Sequence, residues 1–255
     1  MPSNNVIIFD LDETLGYFVQ FGIFIDCLEE YYNRKICGNE FFYIMDLYPE
    51  FTRPYIINIL HYILEKKKSK NCDKVMIYTN NQGERLWVEN IKNYFEYKIN
   101  NILFDKIIAA FKVDGVRIEP NRTSHNKSVE DIYRCVNKLP KNIRICFVDD
   151  QYHDEMINEL VYYIKVEPYF HSIDFMEMMN RYIRFNNIED YKFTIKMKKL
   201  LSRYNYKTVI KDKEEYIIDG IVGKKLFLHI KKFFNKNIKK TQKIREKNSK
   251  TFKKY

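Results

Sequence analysis

NVIIFDLDET, residues 5–14, is the stretch whose reading decides the fold. Asn5 to Asp10 is a short apolar run that ends in an acid, as a strand buried on both faces of a parallel sheet does. Asp10 and Asp12 stand two residues apart just past the end of that strand. Both can therefore face one cavity while Leu11 packs inward. Two carboxylates so placed repel one another unless a cation sits between them, so the pair implies a metal or a basic partner. Hard oxygen ligands suit Mg²⁺, which keeps several waters and takes one or two carboxylates.

Working outward, the same strand pattern recurs at Lys74–Thr79, at Phe104–Ala110, at Arg144–Val148 (followed by Asp149 and Asp150) and at Val161–Val166. Helical spacing separates these runs. Phe24–Tyr32 reads as helix, and Pro54–Lys67 places Ile56, Leu60, Ile63 and Leu64 on one face behind a proline at a tolerated first-turn position. Gly83–Lys98 aligns Trp87, Ile91, Tyr94 and Phe95. Lys127–Val136 aligns Val129, Ile132, Tyr133 and Val136, and Phe175–Phe185 follows. Between the third strand and that helix, Asp114-Gly115 flanked by alternating residues predicts a hairpin over Phe111–Glu119. Strands alternating with helices predict an α/β fold, a central parallel sheet between layers of helices. In such sheets ligands bind at the carboxyl ends of the strands, the rim where Asp10, Thr79 and Asp149-Asp150 would collect.

The net charge of +10 is unevenly spread. Residues 191–255 hold 21 Lys and Arg against 5 Asp and Glu, whereas the first 190 hold 23 against 29. The shift places a boundary near Asp190, with a sheet domain over 1–190 and a basic, mostly helical extension over 191–255. Within the extension, the segment from Lys224 sets Leu226, Ile230, Phe233 and Phe234 on one helical face ringed by lysines. Such a helix can dock on its own domain or meet nucleic acid, an acidic membrane or an acidic partner. From about Lys239 the stripe is gone and disorder is expected. Tyr204 and Tyr206 read as core. The five cysteines form no CxxC pair, which implies a reduced intracellular compartment, cytoplasmic or nuclear. No run approaches the roughly 18 apolar residues of a membrane span, and no signal peptide opens the chain. The bias toward Asn, Ile, Lys, Tyr and Phe suits an AT-rich genome, such as that of a large DNA virus or a protist.

Here the chain resembles the haloacid dehalogenase (HAD) superfamily of phosphatases. FDLDETL matches the first motif of that family, Thr79 at the end of KVMIYT looks like the second, Lys127 like the third, and Asp149-Asp150 like the fourth. The four stand in the family's order over about residues 5–155. The resemblance implies a HAD-like Rossmannoid three-layer sandwich and a Mg²⁺-dependent phosphatase working through an aspartyl-phosphate. Asp10 would be the nucleophile and Asp12 the acid and base. The Thr79 hydroxyl and the Asn80 backbone N–H would hold phosphate oxygens, and Lys127 would offset the charge around Asp10. Mg²⁺ would be held by Asp10, the carbonyl of Asp12 and Asp150, with Asp149 bracing the lysine. Thr14 would tie the loop after Asp12.

DLDETL and the Thr52-Arg53-Pro54 step are similar to the FCP/SCP-like branch, phosphatases related to those acting on the RNA polymerase II C-terminal domain. A phosphorylated protein is the substrate that branch implies, with Leu15–Phe51 as a flap-bearing insertion. Thr79-Asn80-Asn81-Gln82-Gly83 also resembles the Thr-Asn-Gln element of polynucleotide 3′-phosphatases, so a nucleic-acid end stays open as a substrate. A catalytically silent scaffold binding through its basic tail is the third reading. His125 and His153, near Lys127 and Asp150 in sequence, read as loop histidines outside the site.

Overall fold

The apolar run that opens the chain forms β1 (Asn5–Phe9), and each later run that resembles it joins the same sheet. The computed structural model describes residues 4–139 and 142–235. In chain order β1 is followed by α1 (Val19–Tyr32), α2 (Gly38–Asp46), α3 (Ile56–Lys68), β2 (Lys74–Tyr78), α4 (Arg85–Lys98) and β3 (Lys106–Ile108). Next come a small hairpin of β4 (Lys112–Val113) and β5 (Val116–Arg117), then α5 (Val129–Cys135), β6 (Arg144–Asp149), β7 (Val161–Lys165), α6 (Phe175–Asn186), α7 (Tyr191–Leu201) and α8 (Lys213–Asn235). The sheet has the order β3-β2-β1-β6-β7, and all its strands are parallel. β1 sits at the centre, so the residues that follow β1, β2 and β6 emerge side by side at one rim.

The two faces of the sheet are unequally covered. Ile7 and Phe9, with Val75, Ile77, Cys146 and Val148, face a large core shared with α1 to α4 and α6 to α8. The alternate residues Val6, Ile8, Met76, Ile145 and Phe147 face a smaller core capped by α5. This period-two division is what a buried strand dictates. Leu15–Phe51 is packed into the domain: α1 and α2 bury Phe21, Phe24, Phe41 and Met45 completely in the large core. The aromatic richness of the chain is concentrated there, with Phe21 within 6.0 Å of the rings of Phe41, Tyr48, Phe51 and Trp87. The expected hairpin forms with φ of 48° at Asp114 and 80° at Gly115, the paired positive angles a two-residue hairpin turn needs. α5 is shorter than expected, and Cys135 replaces the exposed Tyr133 on its buried face.

The change in charge near Asp190 is a change of composition that the packing crosses. Phe193, Met197, Leu200 and Leu201 of α7 and Leu226, Ile230 and Phe233 of α8 belong to the large core. Of the uses open to the amphipathic helix, its apolar stripe is spent on docking. Phe233 stacks on Tyr162, Phe234 meets Tyr62, and Arg144 donates to the Phe233 carbonyl. Tyr204 lies exposed, contrary to its reading as core, and Tyr206 is half-buried with its hydroxyl on Ser172. The disorder expected from Lys239 onward falls outside the described residues. Among the described residues, no helix is long and apolar enough to cross a membrane.

α8 meets the turn that leads into α3 at Gly223, where a Cβ would stand 2.3 Å from the Pro54 carbonyl oxygen. Gly223→Ala should therefore cost about 1–3 kcal/mol in urea unfolding through overpacking, despite alanine's better helix propensity. Gly220→Ala, with open space around it, should be neutral or stabilising by up to ~1 kcal/mol.

Candidate active site

Asp10 follows β1 directly, and its N–H donates to the Val148 carbonyl of β6, fixing where its side chain leaves the sheet. Next door, β6 ends in Asp149 and is followed by Asp150. Asp10, Asp149 and Asp150 are all buried, and each offers a carboxylate oxygen within 4.8 Å of the others. One ammonium answers them. Lys127 Nζ lies 2.5 Å from Asp10 Oδ1 and 2.7 Å from Asp149 Oδ2, with 2% of its side chain exposed. Lys127 does not open α5 but precedes it by two residues. Ser128 is the N-cap, its hydroxyl accepting from the Asp131 N–H.

Three buried carboxylates against one buried ammonium leave a negative surplus, and the ionisation of the site reflects it. Burial pushes the Asp10 carboxyl up to about 7, over the opposing pull of Lys127. Asp12 is also raised, chiefly by burial. Burial acts on Asp149 in the same sense, but contacts from His153 and Lys127 outweigh it and hold that carboxyl below its ordinary value. Lys127 is raised, because Asp10 and Asp149 overcome the burial that would lower it. A cluster of this kind can hold a metal ion: its donors are hard oxygens, and a divalent cation would neutralise the surplus.

The remaining expected residues surround this cluster. The Asp12 carboxylate accepts from Asn81 Nδ2 at 2.7 Å. Thr79 is buried after β2, and its hydroxyl accepts from the Asn81 N–H at 3.0 Å. The Asn80 side chain turns away, its Nδ2 donating to the His125 carbonyl. Thr14 does more than tie its own loop. Its hydroxyl accepts from the Asp150 N–H and donates to Asp150 Oδ1, both at 3.1 Å, so it orients Asp150. Gln151 donates its N–H to Asp149 and its Nε2 to Asp150, giving the two acids separate partners.

Several functional supports escaped the sequence reading. Asn81 bridges the loops after β1 and β2, receiving the Gly83 N–H on the same side chain that binds Asp12. Arg122 is completely buried and donates to the carbonyls of Thr79, Ala109 and His125, pinning the loop after β2 to the approach of Lys127. Arg53, also buried, donates to the carbonyls of Glu13, Thr14 and Glu167, and burial lowers it to about 10. It braces the turn after Asp12, where Glu13 has φ of 57°. His153, read as a loop residue, places Nε2 3.4 Å from Asp149 Oδ2. His125 has an exposed side chain, as expected, and contributes its carbonyl. The only sequence signal for Arg53 was its Thr-Arg-Pro setting. Arg122 gave none, because a buried arginine answered by carbonyls leaves no acidic partner to find in the sequence.

Comparisons with protein-family models, with curated proteins and with solved structures found no match to this chain.

Proposed function

We propose that this chain is a Mg²⁺-dependent phosphomonoester hydrolase that works through an aspartyl-phosphate on Asp10, most closely resembling the FCP/SCP-like phosphoprotein phosphatases. The observation that carries the reading is Asp10 itself, a buried carboxylate held by Lys127 in a cluster with Asp149 and Asp150 and one residue removed from Asp12. The order of FDLDETL, Thr79, Lys127 and Asp149-Asp150 along the chain supports it.

Phosphate monoesters are among the most inert biological bonds, so splitting the task into two displacements has a large effect. In the first, Asp10 Oδ attacks phosphorus. The bond from phosphorus to the ester oxygen breaks, its electron pair goes to that oxygen, and the oxygen takes a proton from Asp12. In the second, the Asp12 carboxylate accepts a proton from water as the water oxygen attacks phosphorus, which frees Asp10 and inorganic phosphate. Burial, which raises the Asp12 pKa, favours the protonated form that the first displacement requires. Thr79 and Lys127 would meet the charge that spreads over the non-bridging oxygens. Asp10 and Asp150 would hold the Mg²⁺, with Asp149 bracing Lys127 from behind. Bound there, the cation would offset the charge of the entering phosphoryl group.

The test is hydrolysis of an aryl phosphate. Turnover that appears with Mg²⁺ and stops on chelation is expected. A well-folded protein inactive with Mg²⁺ across neutral pH would overturn the proposal.

A further inference from the structure

A cleft of about 370 Å³ opens at Asp12 and Asn81 and runs between α1 and the start of α4. Its position makes it the natural exit for whatever leaves the phosphoryl group, because the residue read as the proton donor lines its inner end. Two features give it a chemical character. Its more buried lining is mostly apolar, with Phe18, Ile36 and Trp87 beside the amide of Asn90. Its rim carries Asp26, Glu29 and Glu84 against a single cation, Lys35. Lys35 is already engaged, 3.0 Å from Glu29 and 3.1 Å from Glu84. Asp26 is exposed and makes no ion pair among the described residues. A mostly apolar lining under an acidic rim matches the two-part nature of a lysine or arginine side chain, whose methylene stem lies on apolar surface while its head seeks charge.

We propose, resting on the phosphatase reading, that this cleft binds a basic side chain adjacent to the phosphorylated residue, so that the substrate is a phosphorylated protein segment with Lys or Arg beside the modified position. The same charge pattern disfavours a polyanionic leaving group. A nucleic-acid end would bring its next phosphodiester against Asp26 and Glu84. The cleft on the other side of the 81–84 turn offers it nothing better, with five carboxylates against three basic side chains.

The experiment compares two phosphoserine peptides that differ only in Lys or Glu beside the phosphoserine, with an aryl phosphate as the flank-free control. Each is tested on wild type and on Asp26→Lys/Glu84→Lys, both exposed positions outside the reacting cluster. Peptide affinity is followed in parallel by fluorescence anisotropy, which needs no turnover. Wild type should favour the Lys peptide by about three- to tenfold in kcat/KM, as expected for two exposed charge pairs, and the margin should shrink with salt. The double variant should lose or invert the preference in both kcat/KM and affinity, with aryl phosphate turnover unchanged. Equal treatment of the two peptides by wild type, or a preference that survives the charge reversal, would overturn the cleft assignment while leaving the phosphatase intact. Absent turnover of every ester, with a Lys preference in affinity that the variant loses, would instead overturn the phosphatase and uphold the cleft.

Discussion

Asp10→Asn is expected to lower kcat by more than about 10⁴-fold, because in the proposed mechanism it removes the attacking atom and not merely a contact. The same change should leave the fold intact. Burial already pushes the Asp10 carboxyl up to about 7. A carboxyl raised in this way stabilises the fold below its unfolded value near 3.8, and that contribution is lost as pH rises through 7. Without metal, Asp10→Asn should therefore unfold at the same temperature as wild type or higher at pH 8. Asp12→Asn should cost about 10²–10⁴ in kcat, the usual worth of a general acid and base. Loss of activity together with a lower melting temperature in Asp10→Asn would point to a structural role for this aspartate.

The sheet was legible because β1, β2 and β6 each bury both faces, which leaves a continuous apolar run. The rim followed from the same runs, since their last residues, Asp10, Thr79 and Asp149-Asp150, must emerge together once the strands are parallel. What the sequence hid is of two kinds. Packing choices such as the docking of α8 depend on a distant partner surface: a stripe of Leu226, Ile230, Phe233 and Phe234 is the same whether it meets Tyr62 and Tyr162 or another molecule. The supports of the site were hidden because they act through main-chain carbonyls. Arg53 and Arg122 each bind three carbonyls, and a carbonyl has no residue identity to be read. The packing of Leu15–Phe51 into the domain was hidden for a related reason. Its phenylalanines are spaced for burial on α1 and α2, which only the large core could reveal.

Lys127→Met should produce the largest loss of stability of any change in the site, about 3–5 kcal/mol at pH 8 in urea unfolding. The methionine fills the same space but leaves Asp10 and Asp149 buried without their ammonium. The penalty should depend on pH in a definite direction. In wild type Asp149 is held below its ordinary value, so its contribution is present above the unfolded value and lost as pH falls through the folded one. Without Lys127 both carboxyls rise, Asp10 from a value already about 7, and take up protons as pH falls, which relieves the charge. The variant should then approach wild type at pH 5 and fall away from it at pH 8. Mg²⁺ should recover part of the loss at pH 8, because a divalent cation binds the deprotonated cluster and stabilises the folded form by mass action. A penalty that stays flat between pH 5 and 8 would mean that Lys127 contributes packing and not charge.

The most direct test of the central claim is the mass of the peptide that contains Asp10 after acid quench during turnover of an aryl phosphate. The expected result is the added mass of one phosphoryl group on Asp10, dependent on Mg²⁺ and removed by hydroxylamine, as an acyl phosphate is. Continued hydrolysis with Asp10 unmodified at every quench time, and with Asp10→Asn still active, would contradict it.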